Sequence, residues 1–143
     1  ILVMKVNKID LIKLQHAIDL IKKNKTNDAE NILKELIDIK NVKPDVLTYM
    51  AICKIKSNKK NEAIDCLKNA ISIDPNHEFA NLNLGLIYFD IKNYKESFKF
   101  IINAYKKNSN NLTAIYHLGL INLILNNLEK SEKYFLKIMK KTK

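Results

Sequence analysis

The sequence predicts an all-α fold of four helical hairpins, and three observations predict it. Small residues recur every 34 positions: Ala17, Ala51, Gly85 and Gly119 form one series, and Ala29, Ala63, Ser97 and Ser131 form another. A fixed period means one supersecondary unit copied along the chain, each copy burying its apolar face against the next. Punctuation is sparse, with two glycines and two prolines in 143 residues, whereas a strand-rich fold needs a turn signal every ten or so residues. Between the breaks, apolar residues return with helical rather than alternating spacing.

Taken in order, the first hairpin is expected over Lys8–Lys23 and Asn27–Lys40, and the second over Asp45–Ser57 and Lys60–Ile73. The third follows at Glu78–Ile91 and Tyr94–Asn108, the fourth at Leu112–Leu125 and Leu128–Lys141. The turns within hairpins carry Asn24, Asn58, Asn93 and Asn126, and asparagine tolerates the left-handed backbone that ends a helix. Asn27 with Glu30 has the spacing of a capping box. Pro75 pushes Asp74 out of helical geometry, and Pro44 fits the first turn of a helix. Large residues at His16, Met50, Leu84 and Leu118, and at Leu33, Leu67, Ile101 and Phe135, also repeat every 34 positions and are expected to fill the layers between hairpins.

Composition narrows the function classes. The formal charge of +10 comes from 25 lysines and no arginine. Arginine supplies the bidentate grip on phosphate and guanine edges, so its absence argues against specific nucleic-acid recognition. No apolar run approaches the ~20 residues of a transmembrane segment; the stretch Leu118 to Leu125 is interrupted by Asn122. The opening Ile1-Leu2-Val3-Met4 is apolar but lacks the parts of a secretory signal. Cys53 and Cys66 fit neither a zinc spacing nor a disulfide framework, which points to a reducing compartment, the cytoplasm. His16, His77 and His117 fall in different repeats with no nucleophile, metal or phosphate-loop motif near them. No enzyme, metal or cofactor is expected.

The segment Asn61-Glu62-Ala63-Ile64 through Asp74-Pro75-Asn76, continuing into Leu84-Gly85-Leu86-Ile87-Tyr88, resembles the tetratricopeptide repeat. The fourth copy keeps Leu118-Gly119 and Phe135, while the tryptophan of the pattern is replaced by Lys13, Leu47, Asn81 and Ile115. The resemblance implies a right-handed α-solenoid spanning 1–143 as a single array. Its repeats fall near 10–43, 44–77, 78–111 and 112–143, after a leading segment 1–9.

The resemblance also implies a concave groove lined by the first helix of each hairpin, holding a peptide or helix of another protein. On this chain the groove is expected at Tyr49, Ile52, Phe79, Leu82, Asn83, Leu86, Tyr116, His117 and Leu120. It is apolar with a thin polar line of Tyr49, Asn83 and His117. A subset of the family clamps acidic chaperone tails with lysines, asparagines and an arginine; only Asn83 matches, so no such binding is expected. Two alternatives stand beside the adaptor reading. One is self-association through the apolar C-terminal repeat, which shows no capping helix. The other is lysine-driven attraction to an acidic surface.

Overall fold

The computed structural model describes residues 6–142; the opening Ile1-Leu2-Val3-Met4 lies outside them. Among the described residues there are eight α-helices, one short 3-10 turn and no strand. The chain forms two compact units, Ile1–Pro75 and Asn76–Lys143, each holding two of the expected hairpins. The first contains α1 (Lys8–Lys22), α2 (Thr26–Leu36), the 3-10 turn Lys40–Val42, α3 (Lys43–Lys56) and α4 (Lys60–Ile73). The second contains α5 (Glu78–Asp90), α6 (Tyr94–Lys107), α7 (Leu112–Ile124) and α8 (Leu128–Lys141).

Local chemistry sets the ends of these helices, not always as the sequence suggests. Left-handed residues close the first helix of each hairpin at Asn24, Asn58, Lys92 and Asn126, with φ between 59° and 64°. In the third hairpin the residue is therefore Lys92, not Asn93. Asn93 instead caps α6, its Oδ1 accepting from Glu96 N–H at 3.3 Å. The expected box at Asn27 and Glu30 does not form, because α2 starts one residue earlier with Lys25 at its cap. A capping box does form at Asn7 and Asp10, where each side chain accepts from the other's backbone N–H. The second helix also ends short of Lys40. Leu36, Ile39 and Val42 are all buried, and a spacing of three suits a tightened turn better than a continuing α-helix.

The small-residue series is where paired helices touch. In the second unit, Ser97 Oγ donates to Gly85 O at 2.8 Å and Ser131 Oγ donates to Gly119 O at 2.9 Å. The same bond thus recurs at the same register in both hairpins. A Cβ on Gly85 would stand 2.4 Å from Ile101 Cγ1, 3.1 Å from Ile101 N and 3.2 Å from Ser97 O. In the first unit the paired positions hold Ala17 with Ala29 and Ala51 with Ala63, all fully buried.

Each unit has its own core. In the first, Val46 and Cys53 of α3 pack with Ala17, Ile21, Leu33 and Leu36. Lys54, only 16% exposed, bridges Glu30 of α2 and Glu62 of α4 at 3.1 Å each, which raises its pKa. In the second, Ala114, Leu118 and Ile121 of α7 pack with Leu82, Ile101 and Ala104. His16 departs from the expected stripe. Its equivalents Leu84 and Leu118 are buried and Met50 is half-buried, but His16 is exposed. The positions that face a preceding hairpin are Ile12, His16 and Asp19 in the first repeat, and no described residue covers them.

Candidate functional site

In the second unit the face carried by the first helices, α5 and α7, is built from their N-terminal caps upward. His77 Nδ1 accepts from Ala80 N–H at 3.0 Å, starting α5, and Asn111 Oδ1 accepts from Ala114 N–H at 3.0 Å, starting α7. Glu78 Oε1 then joins the two beginnings. It accepts from Asn108 Nδ2 at 3.0 Å and from Asn111 Nδ2 at 2.8 Å, so the turn before α7 is fastened to the first residue of α5. His77 is accounted for by this capping role.

Along the face, Asn83 is half-buried and its Nδ2 donates to Phe79 O at 2.8 Å. No hydrogen bond occupies its Oδ1 among the described residues, leaving an acceptor for a ligand's N–H. His117 Nδ1 lies 2.8 Å from Thr113 O. A carbonyl only accepts, so Nδ1 holds the proton and the neutral ring keeps its lone pair on Nε2. The imidazole stands edge-on to Phe89 at 5.0 Å and to Tyr116 at 5.3 Å. Phe89 in turn meets Tyr94 at 5.4 Å, and Tyr116 meets Phe135 at 6.2 Å. These edge-to-face contacts, favoured by the ring quadrupoles, draw side chains of all four helices into one aromatic chain around His117.

The predicted site residues separate into three groups. Phe79, Asn83, Leu86, Tyr116, His117 and Leu120 all keep accessible surface on this face; Phe79 is 36% and Tyr116 47% exposed. Leu82 does not, being 8% exposed in the core with Ala114 and Leu118. It sits where the next hairpin packs, so it supports the face from behind. Tyr49 and Ile52 belong to the first unit, where both are half-buried against its core. Burial, and then the charge of Asp45, pushes the Tyr49 phenol above its ordinary pKa. Glu78 and its two asparagines escaped sequence reasoning because their contacts link positions 30 and 33 residues apart. Nothing local marks such a pair.

Cys53 and Cys66 are both free, and burial holds the Cys53 thiol up at about 11. Among the described residues no cluster of His, Cys, Asp or Glu is placed to hold a metal ion, and no helix is long and apolar enough to cross a membrane.

The family model described as "Psidin, N-terminal TPR repeats region" matches residues 1–141. The chain belongs to this tetratricopeptide-repeat family. Solved structures agree on the fold. MamA superposes with a TM-score of 0.77 at 20% identity, covering 93% of this chain and 78% of that one. The pilF protein of Pseudomonas aeruginosa gives 0.81 at 17% identity; the match covers 92% of this tetratricopeptide-repeat chain but 60% of pilF. The first TPR of Spaghetti (RPAP3), solved bound to the HSP90 peptide SRMEEVD, gives 0.72 at 18% identity over 85% of this chain and 97% of that one. At such identities the likeness carries the fold and not the ligand. No curated protein matches the sequence.

Proposed function

We propose that the chain is a non-catalytic interaction module whose α5–α7 face holds a short peptide or helix of another protein. The observation that carries this reading is the pairing of Asn83 Oδ1 and the His117 ring with a surface otherwise made of Phe79, Leu86, Phe89, Tyr116 and Leu120. Aromatic anchors supply contact area, and a few fixed polar groups orient the bound backbone. Tyr49 and Ile52 would serve the same role on the first unit. Membership of a tetratricopeptide-repeat family and the peptide bound to Spaghetti (RPAP3) support a protein partner. The two free cysteines support a reducing compartment such as the cytoplasm.

The test compares the native chain with an Asn83→Ala, His117→Ala variant shown to be folded. The partner is found by pull-down from nuclease-treated lysate and its segment by tiled peptides in fluorescence anisotropy. The variant should bind the segment about thirtyfold more weakly, as expected for two net hydrogen bonds of ~1 kcal/mol each. Equal affinity would refute the reading.

A second reading, self-association through the C-terminal repeat, is favoured by the register. Leu86, Phe89, Tyr94, Ile102 and Tyr105 pack against the core that the third and fourth hairpins share. Their equivalents 34 residues on are Leu120, Leu123, Leu128, Leu136 and Met139. The last four are 44–60% exposed. Two copies that meet through this apolar row would bury it. Sedimentation equilibrium should show a dimer that Leu123→Glu with Leu128→Glu dissociates; a monomer at high protein concentration would sink this reading.

A further inference from the structure

We infer that the cleft between α6 and α8 is a second binding site, for a short extended acidic peptide carrying one aromatic or aliphatic anchor. It lies on the second helices of the hairpins, not on the α5–α7 face proposed above, and stands independently of that reading.

The cleft has an apolar recess and a charged rim. Its recess is a cavity of about 330 Å³ walled by Phe98 and Tyr105 of α6 and Tyr134 of α8. Asn122 of α7 lines it as well, 4% exposed, with its Nδ2 committed to Leu118 O at 2.8 Å. Tyr105 and Tyr134 meet edge to face at 5.8 Å, leaving a pocket of the size that takes one large side chain. The Lys137 ammonium sits 4.9 Å from the Tyr105 ring and 5.9 Å from that of Tyr134, and it donates to the Tyr105 hydroxyl. Packed aromatic walls thus fix a cation at the mouth of an apolar pocket.

That cation is one of a row. Lys130 and Lys133 line the same recess, and a second cavity of about 340 Å³ shares Tyr105 and Lys137 and runs on to Lys140 and Lys141. Residues three and four apart share a helix face, so α8 turns five lysines toward this trough. Lys133 reaches Glu129 only at 3.9 Å, with both side chains more than 70% exposed, and Lys141 donates to Asn110 Oδ1. Among the described residues, Lys130, Lys137 and Lys140 have no carboxylate within ion-pairing distance. The two helices together carry nine lysines against three glutamates.

The occupant follows from size and charge. From Lys130 to Lys141 the helix rises roughly 16 Å at ~1.5 Å per residue, enough for about five residues of extended peptide at ~3.3 Å each. A lone aromatic carboxylate would leave most of the row and the whole second cavity unused. A nucleic acid would meet a short row of lysines with no arginine to read it. Carboxylates flanking an apolar side chain match both the recess and the rim.

The test uses the full chain and a short fluorescein-labelled peptide of glutamates around a single phenylalanine. Binding should weaken about tenfold when that phenylalanine becomes alanine. It should weaken at least as much in Lys133→Glu with Lys137→Glu, fall with added salt, and be unchanged by Lys22→Glu with Lys23→Glu in the first unit. On the unmodified chain, amide resonances of Tyr105, Asn122 and Tyr134 should shift on titration while those of Asn83 and His117 stay. The inference is overturned by absence of binding, by indifference to the phenylalanine, or by shifts confined to Asn83 and His117. Tighter capture of a single-stranded oligonucleotide in the same cleft would overturn it too.

Discussion

Adding one methyl group at Gly85 and one at Gly119 should have different consequences, although the two glycines occupy the same place in successive repeats. Replacing a mid-helix glycine by alanine ordinarily stabilises a helix by about 1 kcal/mol. At Gly85 the new Cβ would lie 2.4 Å from Ile101 Cγ1, with the backbone atoms Ile101 N and Ser97 O at 3.1 and 3.2 Å. Ordinary carbon contacts are about 3.5–4.0 Å, Ile101 is fully buried, and the backbone of α6 cannot rotate away. The helices must part, which costs about 1–3 kcal/mol in overpacking and strains the Ser97 bond to Gly85 O, itself worth about 1 kcal/mol. The net expectation for Gly85→Ala is a loss of about 1–3 kcal/mol. At Gly119 all three near atoms belong to the Phe135 ring, at 2.8, 2.9 and 3.1 Å. That ring is only half-buried and can swing outward, so the helix gain offsets the clash and Gly119→Ala should change stability by under ~0.5 kcal/mol. Urea unfolding followed by circular dichroism resolves the difference, because slopes of ~1–3 kcal/mol per molar turn it into a midpoint gap near ~1 M. Equal midpoints for the two variants, or a stabilised Gly85→Ala, would refute the argument from close approach.

Two further outcomes are expected. Lys92 has φ 64°, and a left-handed backbone costs a side-chain-bearing residue about 1–2 kcal/mol; Lys92→Gly should stabilise the chain by about 0.5–1 kcal/mol, whereas Asn126→Gly should do little, and identical effects in thermal melts would contradict the strain. The Cys53 thiol is fully buried and held at about 11 against its usual 9.0. A raised folded value favours the protonated form in the fold, so this stabilisation is complete below pH 9 and lost as pH climbs toward 11. Urea midpoints should drop across that window less steeply in Cys53→Ala, and thiol labelling at pH 8 should reach the half-buried Cys66 first. Faster labelling of Cys53 would be the contrary result.

What was legible in the sequence was the period, and what was missed was missed by departing from it. The expected bounds of α4 and α8, Lys60–Ile73 and Leu128–Lys141, agree with the structure at both ends, because each follows a turn closed by a left-handed asparagine, Asn58 or Asn126, and keeps one apolar stripe. The turn residue of the third hairpin was misplaced because residue type outweighed register. Asn24, Asn58 and Asn126 are spaced so that the missing member falls at 92, and the structure puts the left-handed residue there, although it is a lysine. His16 fails for the opposite reason. Its register is right, yet the layer it would fill has no described residue on the far side. The Glu78 contacts and the α6–α8 cleft depend on side chains about one repeat apart meeting at particular angles, which periodicity does not encode.

The period also supplies an internal standard against which function can be sought. Where all four copies keep the same kind of residue, as at Ala17, Ala51, Gly85 and Gly119, helix approach accounts for the choice. Where they differ, packing is not the common cause. The row Gln15, Tyr49, Asn83 and His117 varies in every copy, and its neighbour Leu14, Thr48, Leu82 and Tyr116 keeps leucine in only two. Within the second row, Thr48 is fully buried and its Oγ1 donates to Pro44 O at 2.8 Å, and Leu82 is core, while Tyr116 is 47% exposed. At this register position only Tyr116 is exposed, and His117 beside it has the rings of Phe89 and Tyr116 as neighbours. Under the proposed reading the recognition face is centred on Asn83 and His117, where polar groups stand beside exposed aromatic rings. It also predicts that His117→Ala costs more ligand affinity than Gln15→Ala, although the two are register equivalents.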